Sequence, residues 1–251
     1  MATLTADAAQ RPAPMTGDAL SGALLATGAA ALFVGTLFYA RLTPRLGLPA
    51  SPAERAQALG DALSLGSQKL WLAGGWAFLG DCLLLAACIL LANRGGRRGS
   101  GLDSIGWALT AVSTALAMIF DSMTAVLFWP LAQNPDPGLF MAFKTWFDFL
   151  FAAGNVPFGL GLIAVLFADV RASAPLLPRR LSQFGMAVGA TAAASGLGYT
   201  IGLVQLPLAI GLTVTFGCVV VAALGVQIAR TDPVFVSDIR ARAQLAPGPD
   251  P

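Results

Sequence analysis

Histidine is absent from the 251 residues, and Asp, Glu, Lys and Arg together make up only 11% of the chain. Without histidine there is no imidazole ligand for haem, no zinc site of the His-containing kinds and no Ser-His or Cys-His nucleophile. The low charge argues against a soluble domain, whose surface normally carries far more charged residues. We therefore expect no catalytic residue, no metal site and no cofactor, and the sequence favours a protein that is not an enzyme.

Cysteine is also scarce, and its three positions (Cys82, Cys88 and Cys218) all lie inside apolar runs. The odd number and the absence of a C-x-x-C pair exclude a disulfide framework and a redox dithiol. The cysteines are typical of small apolar residues that fill gaps between helices. The net charge is only +2, and no part of the chain is a basic domain. A nucleic-acid partner is therefore not expected.

Apolar residues dominate what is present, at 56% of the chain, with a mean hydropathy of +0.73. A helix needs about 20 apolar residues to cross a bilayer, and lipid offers no partner for a free backbone amide. The sequence predicts an all-α polytopic membrane protein with six transmembrane helices in one bundle, between tails at 1–18 and 230–251. The predicted spans are Ala19–Ala40, Leu70–Ala92, Ile105–Trp129, Leu139–Phe167, Leu181–Val204 and Leu208–Ala229.

Basic residues predict the direction of the spans. Ten fall on the side of the two tails, whereas four lie in the loop between the first two spans, and Lys144 is inside span four. By the positive-inside rule both termini are cytoplasmic. Thirteen of the fifteen basic residues are Arg, and Ala and Gly are abundant, as in GC-rich bacterial genomes. The bacterial inner membrane is therefore the expected location, and the C-terminal tail, rich in Pro, is expected to be disordered.

The loop between the first two spans contains the sequence Ser51-Pro52-Ala53-Glu54. Ser at the N-cap, Pro at the first helical position and Glu at the third form a capping box. It predicts a short amphipathic helix with Ala56, Leu59 and Leu63 along one face. Two interpretations remain open, a helix lying on the membrane surface and a lid over an outward-facing cavity.

Four ionisable residues lie within the predicted spans, and they are the best pointers to function in a membrane sequence. At about 1.5 Å per residue, Asp81, Asp121 and Asp148 lie roughly 16, 12 and 13 Å from the outer end of their spans, and Lys144 lies roughly 8 Å from it. The spacing of Lys144, Asp148, Asn155 and Gly159 places them on one face of span four. Asp81, Asp121, Lys144, Asp148 and Asn155 are therefore candidate ligand-binding or ion-binding residues.

Two interpretations of these residues stay open. A Lys144–Asp148 pair with hydrogen-bonded Asp81 and Asp121 would fasten the helices together, although such bonds stabilise membrane bundles by under about 1 kcal/mol on average. Alternatively, they converge on one site between spans two, three and four. Three acids against one lysine then require either a bound cation or a proton on at least one carboxyl group.

The segment Pro178-Arg179-Arg180-Leu181-Ser182-Gln183-Phe184-Gly185 opens span five. It resembles an element of an uncharacterised bacterial family of six-span membrane proteins, in which P-R-aromatic-L-S-x-x-G enters the fifth helix, and Arg180 occupies the aromatic position. The long first outer loop is similar as well. The family is described as a domain of unknown function, so the resemblance implies a six-helix fold and no mechanism.

Three functions are compatible with the sequence. The favoured one is binding or transport of a small solute or cation through an outward-facing polar pocket. The second is a structural or regulatory subunit that packs against the helices of a membrane protein partner or of another copy of itself. The third is an intramembrane enzyme, but Phe78-Leu79-Gly80-Asp81 lacks the first glycine of the G-x-G-D protease pattern. No inverted repeat supports the transporter interpretation.

Overall fold

A computed structural model describes residues 17–42, 51–97, 101–202 and 207–231. Every regular element in these ranges is helical, so the predicted all-α class is confirmed. The predicted tails lie almost entirely outside the described residues. The elements are α1 (Gly17–Leu42), α2 (Pro52–Arg97), α3 (Gly101–Ser122), a π-helical turn (Met123–Leu127), α4 (Phe128–Ala132), α5 (Pro137–Arg171), α6 (Arg179–Thr200) and α7 (Pro207–Arg230).

Five of the helices are long and apolar enough to cross a membrane: α1, α2, α5, α7 and the rod Gly101–Ala132, which joins α3, the π-helical turn and α4. The remaining predicted span, the fifth, corresponds to α6, which is long enough but less apolar. Glycine, serine, threonine and glutamine lower the mean hydropathy of α6. Its predicted end at Val204 lies outside the described residues, and the described helix ends at Thr200.

The outer surface of the bundle is strongly apolar. Large hydrophobic side chains are exposed on every long helix, including Leu79, Val112, Phe167 and Val219, and Trp71 is 60% exposed. A soluble monomer rarely leaves such extensive apolar surface in water. This surface and the length of the helices are consistent with an all-α membrane protein.

The long helices form a closed ring in chain order. Contacts run from α1 to α2, α2 to α3, α3 to α5, α5 to α6 and α6 to α7, and the ring closes through contacts of α7 with α1. The helix α4 continues α3 in the same position of the ring. Short connections between consecutive helices explain this order, because they make sequence neighbours into neighbours in space.

Small residues allow the helices in the ring to approach closely. A Cβ atom on Gly80 of α2 would lie 2.8 Å from the carbonyl oxygen of Gly28 in α1, and one on Gly189 of α6 would lie 2.7 Å from that of Gly159 in α5. Close backbone approach through small residues is the usual way in which membrane helices pack. The small-residue steps of the sequence thus form helix interfaces.

One end of the bundle, here called the arginine end, carries the start of α1 and the end of α2. Arg94 forms an ion pair with Asp18 at 3.4 Å, and the Ser104 hydroxyl donates to the carbonyl of Ala92 at 2.7 Å. Arg171, at the end of α5, lies at this end as well, because the helices alternate in direction. A packed hydrophobic cluster fills this half of the bundle, and its members include Leu25, Cys88, Trp107, Leu166 and Leu224.

The predicted capping box is present at the start of α2. The Ser51 backbone N–H donates to Glu54 Oε2 at 2.9 Å, and the Glu54 backbone N–H donates to Ser51 Oγ at 3.3 Å. Residues 52–65 form the predicted short helix, here called the loop helix. Gly66 ends it with φ +72°, and the chain continues directly into the membrane-spanning part of α2. Only glycine adopts this conformation without strain.

The predicted apolar face of the loop helix is right for Leu59, which packs against the bundle, and wrong for Ala56 and Leu63. Ala58 and Ala62 are fully buried, whereas Leu63 is 45% exposed, and Ala56 is exposed too. Ala58 and Ala62 belong to a buried cluster that includes Phe128 of α4 and Phe140 of α5. The loop helix lies close against the bundle, and this contact requires small side chains. Of the two interpretations, the packing therefore favours a cap over the bundle end rather than a free surface helix.

Candidate functional site

A cavity of about 580 Å³ lies at the centre of the ring. Its lining comes from five helices, α1, α2, α3, α5 and α7. On α1 and α7 most of the lining residues lie in the half of the helix away from the arginine end, whereas on α2, on the rod Gly101–Ala132 and on α5 they lie around the middle of the membrane-spanning part. The packed hydrophobic cluster closes the cavity toward the arginine end. The volume is in the range of pockets for small organic molecules.

Two carboxyl groups face each other in this cavity. Asp81 of α2 and Asp121 of α3 are 1% and 8% exposed, and both line the cavity. The two carboxyl groups are close enough to interact electrostatically with each other. Among the described residues, no N–H or O–H group donates to Asp81 Oδ2 or Asp121 Oδ2. A hydrogen bond between two carboxyl groups requires one proton between them, since a carboxylate is only an acceptor.

Close packing of α2 against α3 brings the two carboxyl groups together. A Cβ atom on Gly74 would lie 2.5 Å from the carbonyl oxygen of Asp121 and 2.6 Å from the backbone nitrogen of Ala125. Directly after this contact, the helix widens into the π-helical turn Met123–Leu127. Turns of this kind are frequent at functional sites in membrane and soluble helices. Gly74 and the π-helical turn thus set the backbone position from which Asp121 reaches Asp81.

Asn155 of α5 adds a third unpartnered oxygen to the cavity. The side chain is 4% exposed, and its Nδ2 donates to the carbonyl of Phe151 at 2.7 Å. Among the described residues, no donor reaches its Oδ1 atom. Buried polar atoms without a partner are rare in proteins and call for an explanation. The cavity concentrates three of them, on Asp81, Asp121 and Asn155.

The serine and threonine hydroxyl groups around the cavity also present acceptors rather than donors. Thr36, Thr110, Thr114 and Thr215 each donate to the backbone carbonyl four residues earlier, at 2.8–3.0 Å. Ser113 donates across helices to the carbonyl of Gly154 at 2.7 Å. With their single hydrogen used, these hydroxyls offer only lone pairs to the cavity. The site therefore suits a ligand that supplies hydrogen-bond donors.

Lys144 and Asp148 form a separate pair. They lie one turn apart on α5, are 1% and 2% exposed, and are joined by a salt bridge between Lys144 Nζ and Asp148 Oδ1. Lys144 Nζ also lies 4.7 Å from the centre of the Phe147 ring. Arg55 of the loop helix interacts electrostatically with Asp148. Neither member of the pair belongs to the cavity lining in the described part of the chain.

A layer of aromatic side chains lies beside the Asp81–Asp121 pair and the Lys144–Asp148 pair. Phe147 packs edge-on against Phe120 at 5.5 Å between ring centres and against Phe128 at 4.9 Å, and Phe120 packs against Phe151 at 5.1 Å. Phe120, Phe147 and Phe151 line the cavity. The same cluster contains Ala58 and Ala62 of the loop helix. The cavity thus has an aromatic wall that continues to the loop helix.

The structure brings some of the candidate residues together and separates others. Asp81, Asp121 and Asn155 line one cavity, whereas Lys144 and Asp148 pair with each other outside its lining. The expectation that all the ionisable residues line one pocket is therefore too broad. The shared face of α5 did predict that Lys144, Asp148 and Asn155 are buried. Because α5 is 35 residues long, different parts of that face contact different neighbours.

Sequence reasoning missed the contributions of α1 and α7. Tyr39 of α1 lines the cavity and interacts electrostatically with both Asp148 and Asp121. Cys218 of the neighbouring α7 lines the cavity as well, and its thiol interacts electrostatically with Asp81. Tyr39 stands near the end of its span, where an aromatic residue is typical of any interface. No pattern in the sequence distinguishes Tyr39 from such an anchor.

Comparisons of the chain with known protein families, with curated proteins and with solved structures find no match. Within the described residues, no group of three or more Cys, Asp and Glu side chains is placed to hold a metal ion. The arrangement supplies buried carboxyl groups, oxygen acceptors and aromatic walls. These features can bind a small ligand, carry a proton, or do both.

Proposed function

We propose that the protein binds a small solute or cation in the central cavity and moves it across a membrane. The observation that carries the proposal is the set of three unpartnered, buried oxygen atoms on Asp81, Asp121 and Asn155 around a cavity of about 580 Å³. Lys144 and Asp148, by contrast, satisfy each other within α5. Leaving buried acceptors unpaired costs about 1–3 kcal/mol each, unless a ligand or water pairs with them.

The proposal includes the membrane arrangement expected from the sequence. The chain crosses a bacterial inner membrane six times, with α6 as the fifth span and with the arginine end in the cytoplasm. It is a member of the six-span family that the Pro178–Gly185 element resembles. Arg179 and Arg180 are exposed at the start of α6, where they can contact lipid phosphates.

Cysteine labelling tests the orientation. In a variant without the three native cysteines, Ser100→Cys should resist a membrane-impermeant thiol reagent in intact cells, whereas Gln57→Cys should react. The reverse pattern would show that the arginine end faces outward.

The native cysteines test the cavity itself. Cys218 lines it and is 5% exposed, whereas Cys88 is fully buried in the hydrophobic cluster at the arginine end. We compare a variant that keeps only Cys218 with one that keeps only Cys88. A small methanethiosulfonate reagent carrying an ammonium group should modify Cys218 at least about tenfold faster than Cys88, because only Cys218 borders a space that the reagent can enter.

Two further results bear on the proposal. The rate at Cys218 should fall when Asp121 is replaced by Asn, because the carboxyl pair attracts the cationic reagent, while the rate at Cys88 should not change. If Cys218 proves as unreactive as Cys88 in folded protein, no accessible cavity exists, and the structural interpretation of the polar residues stands instead.

A further inference from the structure

We propose that the cavity binds an organic ammonium ion and that this ion displaces the proton held between Asp81 and Asp121. The inference rests on the proposed function and specifies the ligand class and the ion exchanged for it. It begins from the geometry of the cavity, in which two facing carboxyl groups and the independent, unpartnered Asn155 Oδ1 all border one space.

Donors and acceptors define the polar end of the ligand. The side chains of the cavity present carboxyl, amide and hydroxyl oxygens. One N–H of Asn155 and the hydroxyl hydrogens of Ser113 and of the lining threonines already bind backbone carbonyls. A primary ammonium group has three N–H donors and no acceptor. It therefore complements a site with unpaired acceptors, whereas a carboxylate or phosphate would add further acceptors and negative charge.

The aromatic walls of the cavity indicate the chemistry of the rest of the ligand. Phe120, Phe147, Phe151 and Phe158 line the cavity together with Tyr39. Aromatic faces attract a cation and also pack against an apolar body. A bare metal ion fits poorly, because hard cations need about six oxygen ligands at short distance and the cavity is much larger than one ion. An amine with an apolar or aromatic body of moderate size fits the cavity, with its ammonium group at the oxygen acceptors and its body against the aromatic walls.

The exchange conserves charge. Before binding, one proton lies between the two carboxyl groups, and the pair carries a single negative charge. The ammonium ion enters with one positive charge, its N–H groups donate to both carboxylates, and the proton leaves to water. The charge of the occupied site, with two carboxylates and one ammonium, therefore remains a single negative charge.

Other titratable groups face the carboxyl pair from the helices around it. Tyr39 of α1 interacts with Asp121, Cys218 of α7 faces Asp81, and Cys82 follows Asp81 on α2. From α5 the Lys144–Asp148 pair contributes opposite charges that largely cancel at a distance. The carboxyl pair is therefore the group in the cavity from which a bound cation can release a proton at neutral pH.

Binding of matched probes tests the ligand class. We use 2-phenylethylammonium, 2-phenylethanol and 3-phenylpropanoate, which share an aromatic body and differ in charge, with the purified full-length protein and isothermal titration calorimetry. The ammonium probe should bind at least about tenfold more tightly than the alcohol, because charge-assisted hydrogen bonds are stronger than neutral ones, and the anion should not bind. Equal affinity of the ammonium and the alcohol overturns the inference.

Proton release tests the exchange in the unmodified protein. The titration is repeated at pH 7 in phosphate and in HEPES, neither of which is a primary ammonium ion and whose heats of ionisation differ, so that the difference in heat gives the number of protons released. Close to one proton should leave for each ammonium ion bound. Tight binding without proton release would show that the carboxyl pair does not exchange a proton.

Two variants and a control complete the experiment. Asp81→Asn and Asp121→Asn should each weaken binding of the ammonium probe at least about tenfold and abolish proton release. Asp18→Asn, at the arginine end and outside the cavity, should change neither. Unchanged binding by the cavity variants overturns the inference. If the alcohol binds better than the ammonium ion, the cavity function stands and the ligand class is wrong, and if no probe binds, both proposals fail.

Discussion

Two neighbouring glycines of α2 offer a direct test of the packing that builds the carboxyl pair. A Cβ atom on Gly74 would lie 2.5 Å from the carbonyl oxygen of Asp121, whereas one on Gly75 would meet only the side chain of Trp71, at 3.8 Å. Carbon and carbonyl oxygen normally approach to about 3.3 Å. Gly74→Ala must therefore move α2 and α3 apart by roughly 0.8 Å at this point, whereas Gly75→Ala requires no movement.

The difference between the two variants isolates this steric effect. Both replace glycine with alanine in the same helix, so the gain in helix propensity of about 1 kcal/mol is common to both. Overpacking of a close interface costs about 1–3 kcal/mol, and only Gly74→Ala bears it. For a chain of this size, the melting temperature of Gly74→Ala should lie roughly 2–10 °C below that of Gly75→Ala.

The assay is thermal unfolding of both variants in detergent, followed by tryptophan fluorescence. The Gly74→Ala variant should also release fewer protons when it binds the ammonium probe, because Asp121 moves away from Asp81. Equal melting temperatures would refute the close approach of α2 and α3. A stability difference with unchanged proton release would refute the claim that this contact positions Asp121.

Four further variants test the loop helix and the buried ion pair, each by thermal unfolding of the purified protein. Ser51→Ala removes the acceptor of the Glu54 N–H and should destabilise the protein by about 1 kcal/mol, and an unchanged melting temperature would show that the loop helix does not contribute to stability. Gly66→Ala forces a side chain into a backbone with φ +72° and ψ 170° and should cost about 1–3 kcal/mol, so a neutral result would contradict this positive-φ conformation. Lys144→Met should destabilise by roughly 3–5 kcal/mol because it leaves Asp148 buried and unpaired, whereas Lys144→Met with Asp148→Leu should cost less, and the opposite order would show that the two charges do not depend on each other.

Local signals in the sequence predicted the features that depend on a few neighbouring residues. The capping box at Ser51 and Glu54 is complete within four residues, and its two hydrogen bonds form as expected. The apolar runs gave the helices, because backbone groups in lipid must satisfy one another within the helix. The burial of Lys144, Asp148 and Asn155 followed from their spacing on α5.

Neighbours on other helices decided what the sequence could not show. The loop helix buries Ala58 and Ala62 instead of Leu63 because the bundle leaves little space beneath it, and a preference for small side chains at that contact is invisible in a hydrophobic pattern.

The sequence by itself determined an all-helical chain with membrane-spanning helices, and it determined which polar residues would be too costly to leave in lipid. Tertiary structure decided which of those residues line the cavity and which form a separate pair outside its lining. The partner of Lys144 is Asp148, one turn away on the same helix, so helical periodicity alone specifies the distance between them. The pairing of Asp81 with Asp121 instead depends on the rotation and separation of two helices, which Gly74 and the π-helical turn set through contacts between residues far apart in the chain.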